Sequence, residues 1–312
     1  MYKDLIKIST KDMPHEEWLE HRRNSIGGSD ASSIIGMNSY CSPYTVWADK
    51  LGKIPPKEDN EAMRLGRDLE DYVAKRFTEE TGKRVRRENN ILINPNIPFA
   101  HANVDRMIIG EDAGFEAKTT SALNTKKFKN GEYPENYYVQ CMHYMMVTGC
   151  KRWYLGVLVL GVEFKWFVIE RDEDEIEALK KSEADFWECV KSKTPPMVDG
   201  SDSTSDTLRT IYPESNGDTV SLMAYEQDLN QYMTLSSLLD DVKKQKEEVA
   251  NRIKAFMGEA ERGATDNFSV SWTSSTRTSF DYKKYKADND FLDLSDYVKE
   301  TQTRTFKVKK LN

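Results

Sequence analysis

A long helical segment that stops at a glycine and hands over to alternating strands constrains this chain most. Between Glu61 and Thr81 the apolar residues Leu65, Leu69, Val73 and Phe77 recur every four positions, and Gly82 follows. That spacing lines them along one stripe of an α-helix, and glycine is the residue that ends a helix most easily in the left-handed conformation. Beyond Gly82 the pattern changes to period two. Residues 85–93, 103–109 and 114–119 read as strands, the last two joined by a GEDAG turn. An apolar helix over 136–148, two strands within 153–169 meeting near Gly161, and an acidic helix over about 172–193 complete the pattern. Helices and strands interleaved in this way predict an α/β fold.

Upstream, 14–23 reads as a short helix. A Gly27-Gly28 turn with a Ser/Asp cap then starts a second helix over 31–35, and Pro43 starts a third over 43–51. Residues 194–219 are rich in Pro, Ser, Asp and Gly and read as a linker. Two domains are therefore expected, 1–200 and 201–312. The second opens with a helix over 225–261, on the order of 55 Å long at 1.5 Å per residue. Its apolar residues Leu235, Leu239, Val242, Val249, Ile253 and Phe256 keep a 4-3 rhythm interrupted by Lys246, which suggests self-association or docking of a partner. A small β unit around a polar helix is expected over 267–312.

Composition narrows the function classes. The 312 residues are 38% hydrophobic and 31% charged, with a net charge of −7 from 45 basic and 52 acidic residues. No apolar run reaches the roughly 18–20 residues of a membrane span. The N-terminal MYKDLIKISTKDMP has no signal-peptide pattern, and the four cysteines show no metal-binding spacing, so a cytoplasmic protein without a membrane partner is expected. A negative net charge argues against nucleic-acid binding by the chain as a whole. Its distribution allows local contacts: acids crowd 170–188, whereas bases gather at Arg22-Arg23, 83–87, 126–129 and 304–310.

The strand 115–119 (FEAKT) carries the sharpest chemical signal. Alternation puts Glu116 and Lys118 on one face, and Asp105, on the preceding strand, lies across a short hairpin. Two carboxylates and an ammonium in one place suit Mg²⁺, a hard cation that prefers oxygen ligands, with the backbone carbonyl of Ala117 as a further donor. Metal-assisted hydrolysis of a phosphodiester is the matching chemistry. Other acid-x-Lys triplets, Glu163–Lys165, Asp241–Lys243 and Asp281–Lys283, lack these supporting elements. Glu70 borders the stripe of its helix and faces partly inward, either paired with an arginine or as a third carboxylate. Gln140, in an apolar helix, needs a hydrogen-bond partner, either backbone or a phosphate. Arg22, Ser29 and the Gly27-Gly28 turn read either as plain helix capping or as an anion site. The segment 83–87 reads either as a solvated strand edge or as a DNA contact. Lys126, Lys127 and Lys129, which follow the FEAK strand, are the better-placed DNA contacts. No histidine is read as a ligand.

The order Trp18-x-x-x-Arg22, IGGSDAS (26–32), GRDLE ending at Glu70, ANVD ending at Asp105, FEAK (115–118) and VQCMHYMMVTG (139–149) resembles the YqaJ-type viral recombinases, relatives of the lambda-type phage exonucleases in the PD-(D/E)xK superfamily. The resemblance spans about 14–190. It implies a restriction-endonuclease-like core, a central mixed sheet flanked by helices, here followed by a C-terminal α+β extension. It implies a Mg²⁺-dependent 5′→3′ exonuclease of linear double-stranded DNA, using one ion or two, with Mn²⁺ as an alternative ion. Asp105, Glu116 and Lys118 would be the catalytic core and Glu70 an accessory acid. Arg22 and Ser29, with Gln140 nearby, would anchor the terminal 5′-phosphate. A homo-oligomer, in some relatives a ring, and a single-strand annealing protein are the implied partners, in a host-cell cytoplasm if the chain is phage-encoded. Two positions depart from the pattern: Arg106 stands where the family has glycine, and Met142 where a second glutamine often occurs. The alternatives are an endonuclease on the same fold, a non-catalytic module binding DNA ends or the annealing protein, and a structural phage protein.

Overall fold

The computed structural model describes residues 2–289, 297 and 304–309. The chain forms two compact units, 1–212 and 213–312. In the first, β1 (Ile6–Ser9), α1 (His15–Arg23), α2 (Gly28–Ile34), α3 (Pro43–Lys50) and α4 (Glu61–Thr81) precede the strands β2 (Val85–Arg87), β3 (Asn90–Ile93), β4 (His101–Asn103), β5 (Arg106–Ile108) and β6 (Ala113–Thr120). There follow α5 (Glu135–Thr148), β7 (Arg152–Val159), β8 (Glu163–Glu170), α6 (Glu173–Lys191) and α7 (Asp202–Ile211). The main sheet has the order β2-β5-β6-β7-β8; β6 and β7 run parallel and the other neighbours antiparallel. A smaller antiparallel sheet has the order β1-β3-β4.

The helices form where their ends are capped and their stripes buried. Asn60 accepts from the Met63 N–H at the start of α4, and Gly82 closes it at φ 69°. Val73 and Phe77 of this helix pack on Phe115 and Tyr154 of the main sheet. The opposite face of the sheet, with Trp153, Leu155 and Val157, is covered by α5, whose Cys141, Met145 and Met146 are fully buried. The parallel β6–β7 pair is thus buried on both sides, as parallel strands generally are.

Three stretches differ from their sequence patterns. The expected strand 85–93 is two strands in different sheets, and 103–109 breaks at Val104-Asp105 between β4 and β5. Residues 202–211, inside the expected linker, form α7, which packs Leu208 and Ile211 against the cluster of Tyr44, Val46 and Trp47 and docks on α3 through hydroxyls as well. The Thr45 hydroxyl lies 2.8 Å from Ser203 Oγ and 2.7 Å from Thr207 Oγ1, and Thr204 donates to Ser42 Oγ at 2.8 Å. Polar composition alone cannot distinguish hydroxyls bonded to a neighbour from hydroxyls bonded to water. The first unit accordingly runs to Tyr212 instead of ending at residue 200.

The second unit contains α8 (Glu226–Met257), β9 (Arg262–Ala264), β10 (Ser269–Ser271) and α9 (Tyr282–Asp288). Leu235, Leu239, Val242 and Phe256 on α8 are exposed. Of the C-terminal basic run, Lys310 lies outside the described residues.

Buried ionisable groups tie β4, α5 and α6 together. His143 Nδ1 lies 2.7 Å from Glu183 Oε1 and its Nε2 donates to the His101 carbonyl at 2.8 Å; both side chains are fully buried. His101 contacts Ser25 Oγ at 2.8 Å, and burial pulls its pKa down to about 3. A histidine with a depressed pKa gives stability that is complete above about pH 6.5 and is lost as pH falls toward 3, because the unfolded chain takes up the proton first. His143 works in the opposite sense: burial opposes its charge, but Glu183 outweighs that and raises its pKa. We expect urea midpoints between about pH 6 and 4 to report a loss of about 1 kcal/mol per pH unit from His101. The slope should flatten in His101→Gln, and an unchanged slope would refute the assignment.

Candidate active site

The site is built on β6. Glu116 and Lys118 share the face turned to α5, two residues apart, and Lys118 Nζ donates to Glu116 Oε1 at 2.7 Å. Asp105 occupies the break between β4 and β5 rather than a strand position. Its Oδ2 accepts from the Ala117 N–H at 2.8 Å, so the backbone between Glu116 and Lys118 fixes the second carboxylate.

Gln140 of α5 completes the cluster. Its Oε1 accepts from Lys118 at 2.9 Å, while its Nε2 donates to Glu116 Oε1 and to the Tyr144 hydroxyl, each at 2.8 Å. The amide of Gln140 is therefore spent on protein groups. Its partners are side chains, where its sequence context left backbone or a phosphate as the alternatives. Tyr144 was not singled out from sequence, although its spacing of one helical turn from Gln140 puts both on one face. Lys118 also lies over the Tyr137 ring, 5.3 Å from its centroid.

Burial shapes the electrostatics. Glu116 is 3% exposed; burial and the neighbouring Asp105 charge push its pKa up to about 8. Burial likewise raises Asp105. Burial alone would lower Lys118, but the Glu116 and Asp105 charges outweigh it and hold the ammonium charged. Glu116 Oε2 is buried without a hydrogen-bond partner. An orphaned carboxylate oxygen beside a second raised carboxylate is an arrangement short of positive charge, and it fits a divalent cation. Among the described residues no group of three or more acids, histidines or cysteines is gathered as a metal cage. Glu70 bonds to Arg106, whose Nη2 donates to Glu70 Oε1 at 2.9 Å and to Asp71 Oδ1 at 2.6 Å, while burial and the neighbouring Asp105 charge outweigh the arginine and raise the Glu70 pKa.

Arg22 and Ser29 meet a short distance away. Arg22 Nη2 donates to Ser29 Oγ at 2.9 Å, and its guanidinium lies 4.9 Å from the Trp18 ring centroid. Asp30 accepts from the Gly27 N–H and from the buried Lys50 at 2.6 Å. Burial would raise Asp30, but Lys50 and Arg22 overcome it and hold the carboxyl well below its usual range. The start of α2 rests directly on Gln140 and Tyr144: a Cβ at Gly28 would lie 2.6 Å from Tyr144 Cε1 and 3.1 Å from Gln140 Cγ. The other basic segments divide. Lys83 pairs with Glu111, Arg86 with Glu88 and Arg87 with Asp71, whereas Lys126, Lys127 and Lys129 are exposed.

A helix-flanked mixed sheet whose inner strand presents Glu-x-Lys beside an aspartate from the preceding break is the restriction-endonuclease-like core of the PD-(D/E)xK proteins. Residues 17–151 match the YqaJ-like viral recombinase domain. The chain belongs to that family: it is 40% identical to the uncharacterized protein YqaJ of Bacillus subtilis (strain 168) over 314 residues, covering 98% of each. Among solved structures it resembles LHK-Exo, an alkaline exonuclease from Laribacter hongkongensis. The complex of that enzyme with dAMP gives 21% identity, a TM-score of 0.50, and coverage of 57% of this chain and 93% of the other. A phage related exonuclease from Haemophilus somnus 129PT gives 14% identity and a TM-score of 0.40 over 54% and 96% of the two chains. At these identities the likeness concerns the fold.

The contact between α2 and α5 has a direct test. Gly28→Ala should destabilise the protein by about 1–3 kcal/mol in chemical denaturation, the usual cost of forcing a carbon into a packed contact. An unchanged midpoint would show that the ring moves aside freely.

Proposed function

We propose that this chain is a divalent-cation-dependent deoxyribonuclease that digests linear duplex DNA from its 5′ ends and leaves 3′ single strands for strand-annealing recombination. The observation that carries this reading is the buried, unpartnered Glu116 Oε2 beside Asp105, on the face that also holds Lys118. Oxygen donors of this kind suit Mg²⁺, with Mn²⁺ as the alternative ion. Asp105 and Glu116 would hold it, with the Ala117 carbonyl as a further oxygen donor. Bound there, the cation supplies Lewis-acid polarisation of a phosphodiester and acidifies water.

The remaining work falls to the chain's own groups. Lys118, fixed by Glu116 and Gln140, orients the attacking water and offsets charge growing on the phosphate oxygens. Gln140 and Tyr144 keep Lys118 and Glu116 in place. Arg22 and Ser29 take the terminal 5′-phosphate, which selects DNA ends. Lys50 holds one oxygen of Asp30 at 2.6 Å and Arg22 lies 3.7 Å from the other, so a terminal phosphate would share Arg22 with Asp30. Lys126 and Lys127 contact backbone phosphates beyond β6. The family's description as viral recombinases supports a role in recombination; a single-strand annealing protein as partner and a homo-oligomer as the working form are what the resemblance implies.

With Mg²⁺, wild-type protein should release nucleotides from linear 5′-phosphorylated duplex and leave covalently closed circles intact. Glu116→Gln should be slower by at least about 10²-fold, as expected when a metal ligand is damaged. Cleavage of closed circles would overturn the exonuclease reading in favour of an endonuclease. Absence of any release would overturn the nuclease reading itself.

A further inference from the structure

Arg106 stands directly after Asp105 and is 5% exposed. It begins β5, where the register places it opposite Arg87 of β2. Two arginines directly opposite on neighbouring strands repel one another, and a buried guanidinium must be matched by acceptors. The acceptors come from consecutive residues of α4. Arg106 Nη2 binds Glu70 Oε1 at 2.9 Å and Asp71 Oδ1 at 2.6 Å, and Arg87 binds the other oxygen of Asp71 at 2.5 Å. The four groups close as a neutral quartet, two cations and two anions. It has no acceptor to spare, because Arg106 Nε is already buried without a partner.

From this quartet we propose that Arg106 claims Glu70 as its counter-ion and so keeps Glu70 out of the cation's ligand set, leaving Asp105 and Glu116 as the acids that bind it. The inference rests on the nuclease reading and deepens it. Turning Glu70 toward a cation would leave the buried Arg106 with half of Asp71, the other half being held by Arg87. Arg106 is the buried member of the group; leaving a buried charge short of acceptors is destabilising, whereas removing both partners together is often neutral. A bound cation already has two carboxylates and gains little from a third that must first be stripped from an arginine. Glycine at position 106 would release Glu70. The arginine therefore decides how many carboxylates the site presents.

The test is Mg²⁺ binding by calorimetry, without DNA, on the full chain. The double substitution Glu70→Gln with Arg106→Gln removes one positive and one negative charge and leaves two amides able to bond to each other. Its dissociation constant should stay within about threefold of wild type, whereas loss of a true ligand or its support costs about 10–100-fold. The single Arg106→Gln frees Glu70 and removes a nearby positive charge, so binding should tighten by at least about fivefold. Thermal melts check that each variant is folded. If the single variant is unfolded, the double variant decides alone. A tenfold or greater weakening in the double variant, or weaker binding by a folded Arg106→Gln, would overturn the counter-ion role while leaving the nuclease reading intact. Failure of wild-type protein to bind Mg²⁺ would overturn both.

Discussion

The Ala117 amide is the hinge of the site. It donates to Asp105 at 2.8 Å, and the residues on either side of it, Glu116 and Lys118, project to the same face of the sheet. Three charged side chains therefore depend on one strand position and on the break that brings Asp105 to it. Burial alone would favour discharge of all three. Their arrangement limits this for Lys118, which two carboxylates hold in its charged form. It does so less for the carboxylates, which burial raises and which remain short of positive charge. That shortage is the physical basis for placing a cation there.

Around this hinge the molecule spends many of its buried polar contacts on orientation. Gln140 uses both ends of its amide to hold Glu116, Lys118 and Tyr144. Lys50 and Asp30 hold the start of α2, and the His143–Glu183 pair fastens α5 to α6. Buried ion pairs of this kind add little net stability over apolar packing, but removing one member is expensive. They favour one arrangement of α2 over the sheet. Arg22 and Ser29 are thereby set at a fixed place relative to the carboxylates.

Several of these features were legible in the sequence. The stripe of α4 and its glycine stop, the alternation along β6 and the apolar face of α5 are local patterns, and the structure follows them. The shared face of Glu116 and Lys118 follows from period two alone. Asp105 lies in a break rather than on the strand that its surroundings suggest. Val104 and the run Met107 to Ile109 read as one strand across Asp105 and conceal the change of sheet. The helix α7 was hidden because its Ser and Thr residues look like linker until Ser42 and Thr45 are placed beside them.

What the sequence determined by itself is which residue types share a face and where elements start and stop, because these depend on neighbours within a few positions. Only the tertiary structure decided which partner each buried charge takes. Glu70 could be read as a surface acid or a third carboxylate. The register of β5 against β2 and the docking of α4 give it to Arg106, 36 residues away in the chain. Gln140 could be read as bonded to backbone or phosphate. The packing of α5 on β6 sets it against Glu116 and Lys118. Pairing energies between charges depend on distances set by the whole fold, and periodicity carries no information about those distances.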